Sequence, residues 1–329
     1  RSETRAGDSF GQQSASAAPA PVESAALPVL SDAVGRYVAL TGRARPQSFH
    51  NAVARVSALL VKLCGDKPVD GYTRSDACKF RDHLVNAGVA GSTIIREINT
   101  VRAILNFAAS EAGAPQTTAF SKLYVDAKAG TTERQPFSMP QLQRLKTLCR
   151  EANDERRWLL ALVADTGLRL GEAVGLLRSD FRVVDGVPAV VIQPHPWRRL
   201  KNASSKRVVP LVGEALWASQ RIFGTTSASP FAFPSYNDGK TSHTNSASAT
   251  LNKWMANNGL KGVSVHSLRH SFRDRCRRIV MPIEMVNQVG GWSDSANVGS
   301  SYGNGYTADV LRDWLKKLVA EPRDRGPRA

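Results

Sequence analysis

In "VHSLRHSFRDRCRRIV", residues 265–280, an imidazole and two guanidiniums fall at His266, Arg269 and Arg273. Spacings of three and four place all three on one face of a helix. On such a face a guanidinium holds a phosphate oxygen while the imidazole handles a proton nearby. The alternative is a basic helix whose arginines are simply solvated. In "DTGLRLGE", residues 165–172, Arg169 follows a Thr-Gly break at the start of a helix. Free backbone N–H groups and the helix dipole favour anions there, and disfavour a cation unless a negative group intervenes. A bound anion would meet that need, and so would Glu172, three residues on, with no ligand at all. A third stretch, "GGWSDSANVGSSYGNGYTADV", residues 290–310, sets Trp292, Tyr302 and Tyr306 after an apolar Gly-Gly-Trp turn.

Helices dominate the elements that must position these groups. Val53, Val56, Leu59, Leu60 and Leu63 recur at helical spacing. Ile94, Ile98, Val101, Leu105 and Ala108 form a second stripe, with Ser92 or Thr93 as cap and Gly113 as stop. Arg96 and Arg102 lie off that stripe, turned to phosphates or to solvent. Ser138 is a suitable N-cap, with Pro140 in the first turn after it. "FRVVDGVPAVVIQP" reads as two strands around an Asp185-Gly186 turn, and "SKRVVPL" as a third after a loop at 194–205. Val310, Leu311, Trp314, Leu315 and Leu318 stripe a final helix. The expected domains are a polar N-terminal segment (1–28), a helical domain (29–126), a linker (127–137), an α+β domain (138–321) and a tail (322–329). The fold class is mainly α with a small antiparallel β-sheet.

Composition narrows the partner. Lys and Arg number 44 against 28 Asp and Glu, a net charge of +16 spread along the chain, which favours a polyanion, nucleic acid ahead of an acidic membrane. Cys64, Cys78, Cys149 and Cys276 lie far apart with no Cys-x-x-Cys pair, the pattern of reduced thiols rather than of a disulfide framework or zinc site. No apolar run approaches the roughly 20 residues that span a bilayer. The expectation is a cytoplasmic protein with neither metal nor cofactor.

Taken in order, "TGLRLGE", "HSLRH" and "GGWSDSANVGSSYG" resemble the boxes of the tyrosine recombinase/phage integrase family. The resemblance covers about residues 138–320, and the helical region before it fits the family's core-binding domain in position and character. It implies that Arg169 and Arg269 grip the scissile phosphate, with His266 beside it. A lysine from the turn between the second and third strands is also implied. Lys201 matches that position better than Lys206, which stays open. Trp292 stands where most members have histidine; its indole N–H still donates to a phosphate oxygen but cannot shuttle a proton, and it also suits an aromatic core position. Tyr302, ten residues beyond Trp292, matches the family's nucleophile; Tyr306, at fourteen, is expected to pack at the start of the last helix.

The resemblance further implies a site-specific recombinase or integrase of a bacterial mobile element, associated with the nucleoid. It would clamp double-stranded DNA as a homo-tetramer joined through the C-terminal helix, with DNA-bending accessory proteins as further partners. Two fixed guanidiniums stabilise the charge that builds on an attacked phosphodiester, so the chemistry calls for no metal. A type IB topoisomerase or telomere resolvase would use nearly the same groups, and a non-catalytic DNA-binding protein of the same fold is the third reading.

Overall fold

The computed structural model describes residues 27–131, 135–201, 203–292 and 305–320. Tyr302, most of the polar N-terminal segment and the tail from 321 lie outside the described residues. The chain divides into two units, 1–132 and 133–329.

The first unit is built from four helices: α1 (Leu30–Thr41), α2 (Gln47–Cys64), α3 (Arg74–Asn86) and α4 (Gly91–Glu111). Val53, Val56 and Leu60 of α2 meet Ile94, Ile98, Val101 and Leu105 of α4 in one core with Leu30, Phe80 and Phe120. Leu59 and Leu63, on the edge of the α2 stripe, are half-buried. Neither Ser92 nor Thr93 caps α4. That helix begins one residue earlier, after Ala90, because the Gly91 N–H is taken by the carbonyl of Ala129 at 2.8 Å. A backbone partner from the following segment thus replaces the expected side-chain cap.

The second unit opens with Phe137, read from sequence as linker but buried in its core, its N–H donating to Ser271 Oγ at 2.7 Å. Ser138 caps α5 (Met139–Ala152), bonding reciprocally with Gln141. α6 (Glu155–Thr166) is buried along its whole second half, Leu159 through Thr166. A short helix, α7 (Leu170–Val174), precedes three antiparallel strands in the order β1 (Phe181–Val184), β2 (Val187–Ile192) and β3 (Arg207–Pro210). Asp185 and Gly186 both have positive φ, the geometry of a type I′ hairpin turn. α8 (Gly213–Phe223), α9 (Thr244–Asn257), α10 (Val265–Arg278), α11 (Ile283–Gly290) and α12 (Ala308–Val319) complete the unit.

Central α6 packs against α5, α8 and α10, so the break after Thr166 is fixed against the helix that carries His266 and Arg269. α12 lies on β2 and β3 through Leu311, Leu315 and Leu318, and its first N–H groups are tied down when Ala308 donates to Asp185 Oδ2 at 2.8 Å. Val310 and Trp314, on the flank of that stripe, stay exposed and half-exposed. Among the described residues no helix is long and apolar enough to cross a membrane, and no group of His, Cys, Asp and Glu is arranged to hold a metal ion.

One ion pair welds α6 to α10. Asp165 is fully buried and accepts from Arg275 Nη1 at 2.9 Å and from the Glu214 N–H at 2.8 Å, with Lys146 Nζ 3.4 Å away. Burial pushes its carboxyl up, but Arg275, Lys146 and the Glu214 N–H outweigh this and hold it below the ordinary carboxylate range. Asp165→Asn leaves Arg275 buried without its counter-charge and is expected to cost about 3–5 kcal/mol in urea unfolding at neutral pH. A carboxyl depressed in the folded state contributes fully above its unfolded pKa of about 4 and loses that contribution as pH falls further. The difference between wild type and Asp165→Asn should therefore shrink in the acid range; a constant difference would contradict the assignment.

Candidate active site

Glu172, on α7 and almost fully buried, organises the centre of the second unit. Its Oε1 accepts from Arg169 Nη1 at 2.7 Å and Arg207 Nη1 at 3.3 Å; its Oε2 accepts from the Arg169 N–H at 2.9 Å and Arg207 Nη2 at 2.9 Å. Burial raises its pKa, and the bonds and charges of Arg207 and Arg169 more than reverse that, so it stays ionised. The start of α7 is therefore not an open anion site. Arg169 is its N-cap, and the Arg169 N–H is already spoken for.

Three loops converge on the same point. Arg169 Nη1 also donates to Ser205 Oγ (3.1 Å), and Nη2 to the carbonyl of Gly291 (3.1 Å). Arg207 donates through Nε to Val289 O and through Nη1 to Ser205 O, each at 2.7 Å. Arg269 Nη1 donates to the carbonyl of Gly167 at 2.5 Å. Gly167 and Gly291 both adopt the left-handed conformation, φ +63° and +61°, which swings each carbonyl towards an arginine. A Cβ on Gly167 would lie 2.5 Å from Phe272, and one on Gly291 2.7 Å from Arg207 Nη1. The Thr-Gly and Gly-Gly breaks thus serve as acceptors for the site arginines as well as turns.

Arg269 is the group left wanting. It is 5% exposed, its Nη2 has no hydrogen-bond partner among the described residues, and its guanidinium lies 4.1 Å from the centre of the Trp292 ring. Burial, then the nearby charge of Arg169, with Arg207 and Arg273 adding to it against the opposing pull of Glu172, pushes its pKa down to about 9. Arg273, one turn further along α10, places its guanidinium 5.1 Å from the same ring. Among the described residues four arginines are thus grouped with one carboxylate, held directly by two of them, an electrostatic setting that favours an anion.

Arg169, Arg269 and Trp292 are brought together. Trp292 packs partly against the core, as its core reading expects, and its ring face serves two guanidiniums. His266 is exposed on the first turn of α10, one turn from Arg269, its ring 5.0 Å from that of His270. Lys201 and Lys206 are both exposed on the β2–β3 connection, and no hydrogen bond ties either to the cluster among the described residues. Tyr302 lies outside the described residues. Tyr306 is held by its backbone, which exchanges two bonds with the Gln288 amide (2.9 and 2.8 Å), and its ring is 39% exposed rather than packed as expected.

Sequence reasoning missed Arg207 and Ser205, which join β3 and its preceding loop to Glu172. It also missed the anchors of the lysine-bearing loop. His195 Nε2 lies 2.8 Å from buried Asp180, its ring stacks on Trp197 at 4.9 Å, and buried Arg198 donates to the carbonyls of Glu172 and Gln193. The signal available was the run "PHPWRR", whose aromatic and cationic groups have a use once Asp180 is placed beneath them.

Glu172→Gln keeps the shape but removes the carboxylate that Arg169 and Arg207 share, and is expected to destabilise the protein by about 3–5 kcal/mol in urea unfolding. Gly291→Ala should cost at least about 1–3 kcal/mol through the left-handed backbone alone, with the contact on Arg207 in addition. Near-neutral values for both would remove Glu172 and Gly291 from the organising role.

The Phage integrase family matches residues 137–308, which contain every cluster residue described above. No curated protein matches the sequence. Among solved structures, the integrase of transposon Tn1549 bound to transposon right end DNA is 17% identical, with a TM-score of 0.63 over 89% of this chain and 100% of that one. A lambda integrase tetramer bound to a Holliday junction is 14% identical, TM-score 0.62, over 82% and 79%. A lambda integrase dimer bound to a COC′ core site is 13% identical, TM-score 0.61, over 92% and 100%. At these identities the likeness is one of fold, helical bundle and small sheet included. The family match spans more than half of the chain, which therefore belongs to the phage integrase family, the tyrosine-type site-specific recombinases.

Proposed function

We propose that this recombinase serves a bacterial mobile genetic element, cutting and rejoining double-stranded DNA through a 3′-phosphotyrosyl intermediate without metal or ATP. What supports this reading most directly is the pair Arg169 and Arg269, held by glycine carbonyls beside, among the described residues, a single carboxylate and with one buried N–H group of Arg269 unsatisfied. A phosphodiester supplies both the acceptor atoms and the negative charge that this arrangement lacks.

In the proposed step the Tyr302 phenol oxygen forms a bond to phosphorus while the bond from phosphorus to the 5′ oxygen breaks. His266 takes the phenolic proton, and Lys201, on its exposed loop, gives one to the leaving 5′ oxygen. Arg169 and Arg269 neutralise the charge gained by the non-bridging oxygens, and the Trp292 indole N–H donates to one of them. The phosphotyrosyl bond keeps the phosphodiester energy, so attack by another 5′-hydroxyl reseals the strand and releases the phenol.

The first unit would contact the same duplex, and the active assembly would be a homo-tetramer on DNA, with DNA-bending proteins as accessories, in the nucleoid. Contacts between protomers through α12 fall to its free flank, Val310 and Trp314, because Leu311, Leu315 and Leu318 already cover the sheet.

Incubation with duplex DNA from the ends of the element that carries the gene, followed by denaturant, should trap a covalent protein–DNA adduct in the presence of EDTA. Tyr302→Phe should abolish it; an adduct that survives this substitution, or none from wild type, refutes the mechanism. Relaxation of arbitrary supercoiled plasmids would assign a topoisomerase instead. Val310→Glu should leave the adduct intact while lowering strand exchange, and unchanged exchange would remove α12 from the assembly interface.

A further inference from the structure

Five arginines lie on α10, and the carboxylates near them sort those whose partners are settled. Arg275 pairs with Asp165 at 2.9 Å and Arg277 with Asp274 at 2.9 Å. Arg269 and Arg273 make no ion pair among the described residues. Arg273 is half-buried, its Nε is sealed from solvent with no hydrogen-bond partner, and its guanidinium faces the Trp292 ring beside that of Arg269. A guanidinium stripped of water at one end and given no carboxylate is costly unless an anion completes it. The adjacent aspartate does not do so, being engaged by Arg277.

Charge counting shows that one phosphate is insufficient. Among the described residues Arg169 and Arg207 pair with Glu172, while Arg269 and Arg273, close to each other and to Arg169, have no carboxylate partner. Arg169 and Arg207 share its carboxylate, and a single phosphodiester brings one negative charge to the remainder. A polynucleotide strand offers the next phosphate along. Arg273 follows Arg269 by one helical turn, about 6 Å along the axis, a step of the order of the spacing between neighbouring phosphates on one strand.

We propose that Arg273 forms a second phosphate subsite, taking a non-bridging oxygen of the DNA phosphate adjacent to the one held by Arg169 and Arg269. It would bind substrate rather than stabilise the reacting phosphorus, and the Trp292 ring fixes the spacing between the two guanidiniums. This rests on the reading of the site as one for DNA phosphodiesters.

The test uses Tyr302→Phe protein, which binds without covalent capture, and the element-end duplex, with affinity measured by fluorescence anisotropy between about 50 and 200 mM KCl. Each phosphate contact contributes about 0.9 to the slope of log affinity against log salt. Arg273→Gln and Arg273→Met, the latter keeping an apolar stem against Trp292, should each reduce the slope by about that amount, and Arg273→Lys should preserve it. A neutral variant that unfolds at the wild-type urea midpoint yet keeps the full slope overturns the proposal. A second measurement needs no variant at Arg273. Methylphosphonate replacement at one of the two phosphates flanking the mapped cleavage point should lower the slope by about the same amount with Arg273 intact, and no loss at either flanking position overturns the proposal. Adduct formation by protein with the native Arg273 and Tyr302 tests the recombinase reading separately, so the two can fail independently.

Discussion

Glu172 accepts four N–H groups from two arginines, one from the turn just before its own helix and one from β3. An unpaired carboxylate at this depth would be severely penalised, and so would either arginine without it. The three groups are stable only together, which means that α7, β3 and the turn after α11 must close around one point before any of them is satisfied. Arg207 extends the closure to Val289 and Arg169 to Gly291. The chemistry-bearing turns are thereby locked to the sheet by bonds whose loss is expensive, a rigid base of the kind a preorganised electrostatic site needs.

That balance stops one group short. Glu172 satisfies Arg169 and Arg207, but Arg269 and Arg273 are placed nearby with no carboxylate of their own among the described residues. Stability alone would favour a second acid here, because burying like charges together is costly. Burial first, and then the charge of Arg169, push the pKa of Arg269 down to about 9. A site that carries surplus positive charge before its substrate arrives spends little reorganisation when negative charge develops on that substrate. The folded protein without substrate is correspondingly held at some cost in stability, which the welded pair of Asp165 and Arg275 on the far side of α6 and α10 helps to offset.

Much of this was legible in the sequence, and the reasons differ by element. The hairpin followed from two β-rich runs flanking Asp185-Gly186, since a local turn preference sets its own register. Helical stripes located α2, α4 and α12 to within a few residues, yet the start of α4 was missed because its first N–H is satisfied by Ala129, nearly forty residues away in sequence. Arg169, His266, Arg269 and Trp292 could be picked out because they stand in short motifs. Arg207 and Arg198 could not, because each acts through backbone carbonyls or a carboxylate supplied by distant segments, and Ser205 could not, because its hydroxyl and carbonyl accept from Arg169 and Arg207 only once the fold is made. A buried arginine in a strand looks like any surface cation until its acceptors are known.

Tryptophan at position 292, where most members of the family have histidine, fits the same electrostatics. An imidazole there could take up a proton and add a further positive charge to a cluster already carrying a surplus. An indole cannot, and its π face attracts cations, which is where Arg269 and Arg273 are found, 4.1 and 5.1 Å from the ring centre. The uncharged ring lets two guanidiniums sit side by side with less mutual penalty, while its N–H remains available to an oxygen acceptor. Removing the ring would therefore do more than delete one donor: it would take away the face that two arginines share, the first of them still held by Gly167 O.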